Sequence, residues 1–158
     1  GLPTTKDNIF PKNLNRHHIN LSKTIEIEEN KELDKAFMKR YEKLNIYEMK
    51  VGPYVVMLPK SVNDLVFESK ILKHCVQNYA ERYAKGKTNI FFIRKANEKT
   101  EPLYTLEMSV DMSRVVQCRG KHGIDIENDK AANKAFKMFL NKIKLIPKES
   151  DKYARIAN

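Results

Sequence analysis

Two predicted β segments near the middle of the chain, residues 103–110 (LYTLEMSV) and 114–119 (RVVQCR), constrain the fold more than any other feature. Both are short and rich in β-branched and aromatic residues, and a three-residue turn separates them. In an antiparallel pair, that turn places Glu107 opposite Gln117. A slip of one residue would put Glu107 beside Val116 and mix polar with apolar side chains on both faces, so the first register is favoured.

The predicted pairing gives the sheet one apolar face and one face with a polar cluster, which also contains the opposed pair Thr105 and Arg119. Such a cluster is typical of the solvated face of an antiparallel sheet. Alternatively it is the floor of a site with His74 and Arg94 at its edge, because these side-chain types can exchange protons and bind anions. The candidate catalytic residues are His74, Glu107, Gln117 and Arg119, and the candidate substrate- or anion-binding residues are Arg94, Thr105, Lys121 and Tyr79.

The segment before these strands, residues 61–84, is predicted to be helical. Its apolar residues follow the spacing of one buried helical face, with Leu72, Cys75, Val76, Tyr79 and Tyr83 in the second half. The pattern fits one helix or two. A break near residues 70–73 would set His74 at the start of the second helix, where exposed backbone N–H groups favour an anion. A strand over residues 89–95 (NIFFIRK) follows.

The remaining elements complete the predicted architecture. Helices are predicted over residues 13–22, 28–46 and 127–145, and a hairpin over residues 47–51 and 54–58. His17 and His18 lie in the first of these helices, where packing or surface roles are favoured over metal binding, since neighbouring helical residues face different ways. The sequence therefore predicts the α+β class, with an antiparallel sheet of about five strands and helices before and after it, mainly on one face.

Several short motifs together resemble the PcfJ-like protein family. They are Phe10-Pro11-Lys12-Asn13-Leu14, His74-Cys75-Val76, Tyr79-Ala80, Gly86, the strand end Phe91 to Arg94, Pro102, Tyr104-Thr105-Leu106-Glu107 and Gln117-Cys118-Arg119-Gly120-Lys121. The similarity covers roughly residues 8–125. The resemblance implies a protein encoded on conjugative plasmids, phages or related mobile elements. It marks these positions as functional candidates and implies no particular reaction.

The charge of the chain bears on its partners. There are 30 Lys and Arg residues against 20 Asp and Glu residues, a net charge of +10. Such a surface attracts nucleic acid or anionic membranes, and it is also compatible with simple solubility. The chain has no tryptophan to anchor an amphipathic helix at a bilayer, and no apolar run approaches the roughly 18 residues of a membrane span. We therefore expect DNA or RNA as a partner, and no membrane.

The two cysteines indicate in which redox compartment the protein resides and whether it could bind a metal. Cys75 and Cys118 are both predicted on core faces, as small buried hydrophobes. With so few cysteines and no signal peptide, a reduced cytoplasmic setting is expected. A zinc site built from these two residues with His74 and His122 is disfavoured, because adjacent helical ligands point in different directions. The sequence predicts no metal site and specifies no cofactor.

The length of 158 residues fits one domain. We expect a flexible leader over residues 1–9, a single PcfJ-like domain over residues 10–147 and a flexible tail over residues 148–158. Because the chain starts with Gly1 rather than Met, we also expect a longer polypeptide upstream of it.

Three functions are compatible with these features. The favoured one is a nucleic-acid-associated domain of a mobile-element protein. The second is an enzyme, either a nuclease-like phosphodiesterase or another hydrolase. In support of a phosphodiesterase, Glu107 and the Gln117-Cys118-Arg119 strand loosely resemble restriction-type nucleases, although an arginine replaces the usual lysine and only one carboxylate is present. The third is a structural or partner-binding module in which Glu107 and Arg119 satisfy each other in a buried network.

Overall fold

The computed structural model describes residues 30–148. The leader predicted over residues 1–9 and the helix predicted over residues 13–22, with His17 and His18, lie outside the described residues. Residues 149–158 of the predicted tail also lie outside the described residues.

Five antiparallel strands form one sheet, in which every strand pairs with its neighbours in sequence. The strands are β1 (Met49–Val51), β2 (Tyr54–Met57), β3 (Asn89–Lys95), β4 (Tyr104–Met108) and β5 (Val115–Arg119). Gly52, at φ +59°, makes the tight turn between β1 and β2. The predicted α+β class and five-stranded antiparallel sheet are confirmed.

Within residues 30–148, four α-helices accompany the sheet. They are α1 (residues 30–44), α2 (Val62–Leu72), α3 (Ala80–Ala84) and α4 (Lys130–Ile143). Ser61 caps α2, since its hydroxyl accepts the Asp64 amide hydrogen bond at 3.3 Å. Asp129 caps α4 in the same way through the Ala132 amide at 3.2 Å. Between residues 30 and 148, no helix combines the length and apolarity needed to cross a bilayer.

The helices cover both faces of the sheet. Phe139 of α4 packs against Phe91 of β3, with ring centroids 6.0 Å apart, over the apolar face. Glu68 of α2 bonds to Thr105 of β4, whose side chain points to the opposite, polar face. Helical cover is thus divided between the faces rather than placed mainly on one, because the polar face holds buried charges that also need shielding from water.

The predicted register of β4 and β5 is confirmed. Thr105 pairs with Arg119, and Glu107 pairs with Gln117. The predicted three-residue turn is wrong, because the ladder shifts at Val116, which forms a bulge, and the turn has four residues, 110–113. The side chain of Asp111 organises this turn by accepting hydrogen bonds from the Ser113 amide and hydroxyl and from the Ser109 hydroxyl.

Of the two alternatives for residues 61–84, one helix or two, the structure shows two, with the break at Lys73. This residue adopts a left-handed conformation, φ 58°, and ends α2. A 3₁₀ turn, Val76–Tyr79, and the short α3 follow, so His74 lies in the connection. Cys75 consequently leaves the helical stripe on which it was predicted and is exposed, whereas Cys118 is buried as predicted.

Candidate functional site

An open cleft lies over the polar face of β4 and β5, under the connection between α2 and α3. Its volume is about 170 Å³. The residues that line it are His74, Cys75, Val76, Tyr79, Ile90, Thr105, Glu107, Gln117 and Arg119. All four predicted catalytic residues are in this lining, together with two of the four predicted binding residues, Thr105 and Tyr79.

Glu107 is the acid of the cleft, and it is held by neutral groups. Glu107 is only 4% exposed. Thr88 Oγ1 donates to one carboxylate oxygen at 2.5 Å, and Gln117 Nε2 donates to the other at 3.0 Å. Arg82 Nη2 is 3.9 Å away, and its side chain is half exposed. The carboxylate is therefore fixed in position by hydrogen bonds, with weak charge compensation.

Arg119 does not form the pair with Glu107 that a purely structural network would contain. It is exposed, and its guanidinium donates to the Gly123 carbonyl at 3.2 Å. It remains directly opposite Thr105 in the ladder. Arg119 thus has the backbone position that was predicted, but its side chain points outward. It lies at the mouth of the cleft, where its positive charge is available to a ligand.

His74 reaches the floor of the cleft through a relay that the sequence did not predict. His74 Nε2 lies 2.9 Å from Thr105 Oγ1, and the Thr105 hydroxyl donates to Glu68 Oε2, also at 2.9 Å. Because that hydroxyl has one hydrogen, which Glu68 receives, the imidazole must donate Nε2–H to Thr105. Nδ1 is then an acceptor, in a long 3.5 Å contact with the Val76 amide. Burial lowers the pKa of His74, so the neutral form is favoured.

Arg94 is not at the edge of the cleft as predicted. It is buried beneath the site, where Nη2 donates to Glu68 Oε1 at 2.7 Å and Nη1 donates to the Lys99 carbonyl at 2.8 Å. Glu68 has no exposed surface, and burial raises its pKa, against the lowering influence of Arg94 and Thr105. Arg94 therefore compensates a buried acid and does not itself meet a ligand.

Sequence reasoning missed Glu68, although a signal was present. Leu65, Glu68 and Leu72 follow three-four spacing, which places the acid on the buried stripe of α2. A charged residue on a buried stripe needs a partner of opposite charge. Arg94, at the end of a predicted strand, was a candidate for that partner.

Two further predicted positions have different environments. Tyr79 is half-buried in the cleft wall, with the Arg82 guanidinium 5.1 Å from its ring centroid. Lys121 is exposed and lies outside the cleft lining, in the short turn Lys121–Gly123. The predicted anion-binding role of Lys121 therefore has no support from the cleft geometry.

The described residues contain no assembled metal-binding cluster. Across residues 30–148, no group of three or more His, Cys, Asp and Glu side chains is arranged to hold a metal ion. Cys118 pairs with Leu106, on the face opposite Glu107, and burial raises the pKa of its thiol. The four residues considered for zinc, Cys75, Cys118, His74 and His122, are thus not assembled in the described part of the chain.

These features define an α+β domain with an acid-containing cleft on one face of a five-stranded meander. A family model described as PcfJ-like protein matches residues 2–134. An uncharacterised protein of Listeria innocua, Lin1253/Lin1744, is 35% identical over 129 residues, which make up 79% of this chain and 28% of the relative. The chain therefore belongs to the PcfJ-like family and spans little more than a quarter of that relative's length. No solved structure matches it.

Proposed function

We propose that this domain binds nucleic acid, with the cleft between the α2–α3 connection and strands β4 and β5 as its recognition site. The observation that carries the proposal is the convergence of His74, Glu107, Gln117 and Arg119 on one open cleft. A mobile-element setting and a cytoplasmic location, expected from the sequence, are parts of the same proposal.

The charge distribution supports this assignment. The residues outside the range 30–148 contribute equal numbers of acidic and basic side chains, so the described domain carries the whole net charge of +10. A field of that sign attracts polyanions and accelerates their association. Arg119 adds a guanidinium at the mouth of the cleft, where a phosphate of a bound strand can reach it.

Binding is tested by fluorescence anisotropy with labelled single-stranded DNA, single-stranded RNA and duplex DNA over a range of salt concentrations. The logarithm of the binding constant should fall linearly with the logarithm of salt concentration. Arg119→Ala should weaken binding and reduce that slope by about one. The matched control is Arg114→Ala, which removes an exposed arginine just before β5, outside the cleft lining. Equal losses in the two variants would contradict binding at the cleft, and no binding at low salt would overturn the proposal.

An acid–base hydrolase is the second candidate, and the relay to His74 favours it. Thr105 fixes the imidazole with Nε2–H bound, which leaves Nδ1 as the proton acceptor. Glu68 would stabilise the imidazolium through the Thr105 hydroxyl when Nδ1 takes a proton. The Val76 amide contact at Nδ1 is long, so a ligand hydroxyl or water can replace it.

The hydrolase candidate is tested by incubating the protein with end-labelled RNA and DNA and with an activated phosphodiester such as bis(p-nitrophenyl) phosphate. Any cleavage should be lost in His74→Gln and retained in His122→Gln, since His122 is exposed and outside the cleft lining. Cleavage that survives His74→Gln, or its absence with all three substrates, would remove this candidate and leave the binding proposal unaffected.

A further inference from the structure

We propose that the cleft accepts a single unpaired nucleobase whose edge presents adjacent N–H donors, as guanine does, and that Glu107 is the acceptor that reads it. This inference rests on the proposed function, since it names the part of the nucleic acid that enters the cleft.

Glu107 has hydrogen-bond acceptor capacity that its protein partners do not use. A carboxylate has about four lone-pair positions, and Thr88 and Gln117 occupy one on each oxygen. Each oxygen therefore retains acceptor capacity at the floor of an open cleft. Because the residue is 96% buried and its two hydrogen-bond partners are neutral, a donor from a ligand would be strongly favoured over an acceptor.

The charges in the cleft determine which part of a nucleic acid can enter it. A phosphate at the floor would meet the Glu107 carboxylate in a partly desolvated site, where like charges repel strongly. Arg119, at the mouth, is the cation that a phosphate can reach without that repulsion. The strand is therefore oriented with its backbone outside and a base inside.

A cationic ligand could also supply N–H donors, but the charge of the domain disfavours it. The described domain carries a net charge of +10, which repels a lysine- or arginine-rich peptide. A ligand with a net negative charge is attracted by the positively charged domain. If it also has neutral N–H groups, these can donate to Glu107. Nucleic acid bases joined by phosphates have this combination.

Guanine is the base whose hydrogen-bond donors fit the cleft best. Guanine presents its ring N–H and exocyclic amino group side by side, so both can donate to one carboxylate, whereas thymine presents a single N–H between two carbonyl oxygens. The cleft, at about 170 Å³, is smaller than the roughly 300–1,000 Å³ of typical ligand pockets, so it suits one flat nucleobase rather than a larger ligand. Tyr79, half-buried in the wall, supplies an aromatic surface for stacking.

The test uses labelled T-rich single-stranded DNA in which alternate thymines are replaced by guanine, cytosine or adenine. The guanine oligonucleotide should bind about tenfold more tightly than the all-thymine one, as expected for one bidentate contact. Glu107→Gln should abolish this preference while keeping the salt dependence. The matched control is Glu127→Gln, which removes the same charge at an exposed position beside α4 and should leave the preference intact.

A second readout uses the wild-type protein and does not depend on Glu107→Gln being folded. Cys75 is exposed and lines the cleft, so a base bound there should slow its reaction with Ellman's reagent. Protection should be stronger with the guanine oligonucleotide than with the thymine one at equal concentration. Equal affinity and equal protection for all four oligonucleotides would overturn base recognition but leave salt-dependent binding, and so the proposed function, standing. Agmatine, a small dication, tests the alternative of a cationic ligand. If agmatine protects Cys75 and none of the oligonucleotides does, both base recognition and nucleic-acid binding at the cleft are overturned.

Discussion

Glu68 of α2 and Arg94 of β3 form a buried ion pair, with 2.7 Å between carboxylate oxygen and guanidinium nitrogen. The side chains are 0% and 10% exposed, respectively. The other oxygen of Glu68 accepts from Thr105, which in turn holds His74. Neither charged residue lines the cleft, yet the pair fixes the orientation of an imidazole that does, through Thr105. Its cost in desolvation must be offset by these specific hydrogen bonds.

We predict strong energetic coupling between Glu68 and Arg94. Glu68→Gln and Arg94→Met should each destabilise the fold by about 3–5 kcal/mol, because each leaves its partner buried without charge compensation. The double variant should cost clearly less than the sum of the two single changes. Urea denaturation of all four proteins gives the coupling energy. The exposed pair Glu32 and Lys35, 3.4 Å apart on α1, is the matched control and should show little coupling. Additive effects at Glu68 and Arg94 would contradict the pairing.

We predict that Thr105 sets the tautomer of His74. In the wild type, neutral His74 should carry its hydrogen on Nε2, which two-bond ¹H–¹⁵N correlation spectra of the imidazole report directly. Thr105→Val should remove this preference because the acceptor oxygen is lost. Thr88→Val is the matched control, since Thr88 is also buried and also donates to a carboxylate, that of Glu107. A Nδ1–H tautomer in the wild type would contradict the relay and weaken the hydrolase candidate.

The pairing of β4 with β5 could be predicted because side chains alternate strictly along a strand. Only one register separates the apolar side chains, such as Leu106, from the polar ones, such as Glu107. The bulge at Val116 could not be predicted in the same way. It depends on the side chain of Asp111 gathering the hydrogen bonds of the turn, which no alternation pattern records.

Part of the cleft lining could be predicted, but the contacts of its residues could not. His74, Glu107 and Arg119 were placed near one another from helix and strand geometry. The partner of Arg94 was missed because Glu68 lies 26 residues away in sequence, on a different element. The exposure of Cys75 follows from the left-handed conformation of Lys73, a residue type that is not usually found in that conformation. Apolar periodicity allowed a break near residues 70–73 but did not decide between one helix and two.

We predict that stability falls at acidic pH partly through His74. Burial lowers its pKa from the ordinary value of 6.5, so the folded imidazole resists protonation. Above pH about 6.5 the group is neutral in both states. As pH falls below that value, the unfolded chain takes up a proton more readily and stability decreases until the folded pKa is reached. The raised pKa of Glu68 acts in the opposite direction, and it favours the folded state at low pH.

The contribution of His74 is isolated by comparison with His74→Gln. Urea midpoints measured at about pH 7.5 and about pH 5.5 should differ more in the wild type than in this variant. His122→Gln should behave like the wild type, because His122 is exposed. An equal pH dependence in wild type and His74→Gln would show that the imidazole is not desolvated in the folded protein.

We predict that the two cysteines differ sharply in reactivity. Cys75 is exposed, whereas Cys118 is 3% exposed in the core and burial raises the pKa of its thiol. Ellman's reagent should therefore modify one thiol rapidly in the native protein and two in the denatured protein, since the thiolate is the reacting species. Cys75→Ser should remove the fast phase and Cys118→Ser should keep it. If both thiols react at one rate, the connection after Lys73 opens together with the core, and the cleft is not a preformed site. If neither reacts, Cys75 is covered, and the wall of the cleft differs from that described here.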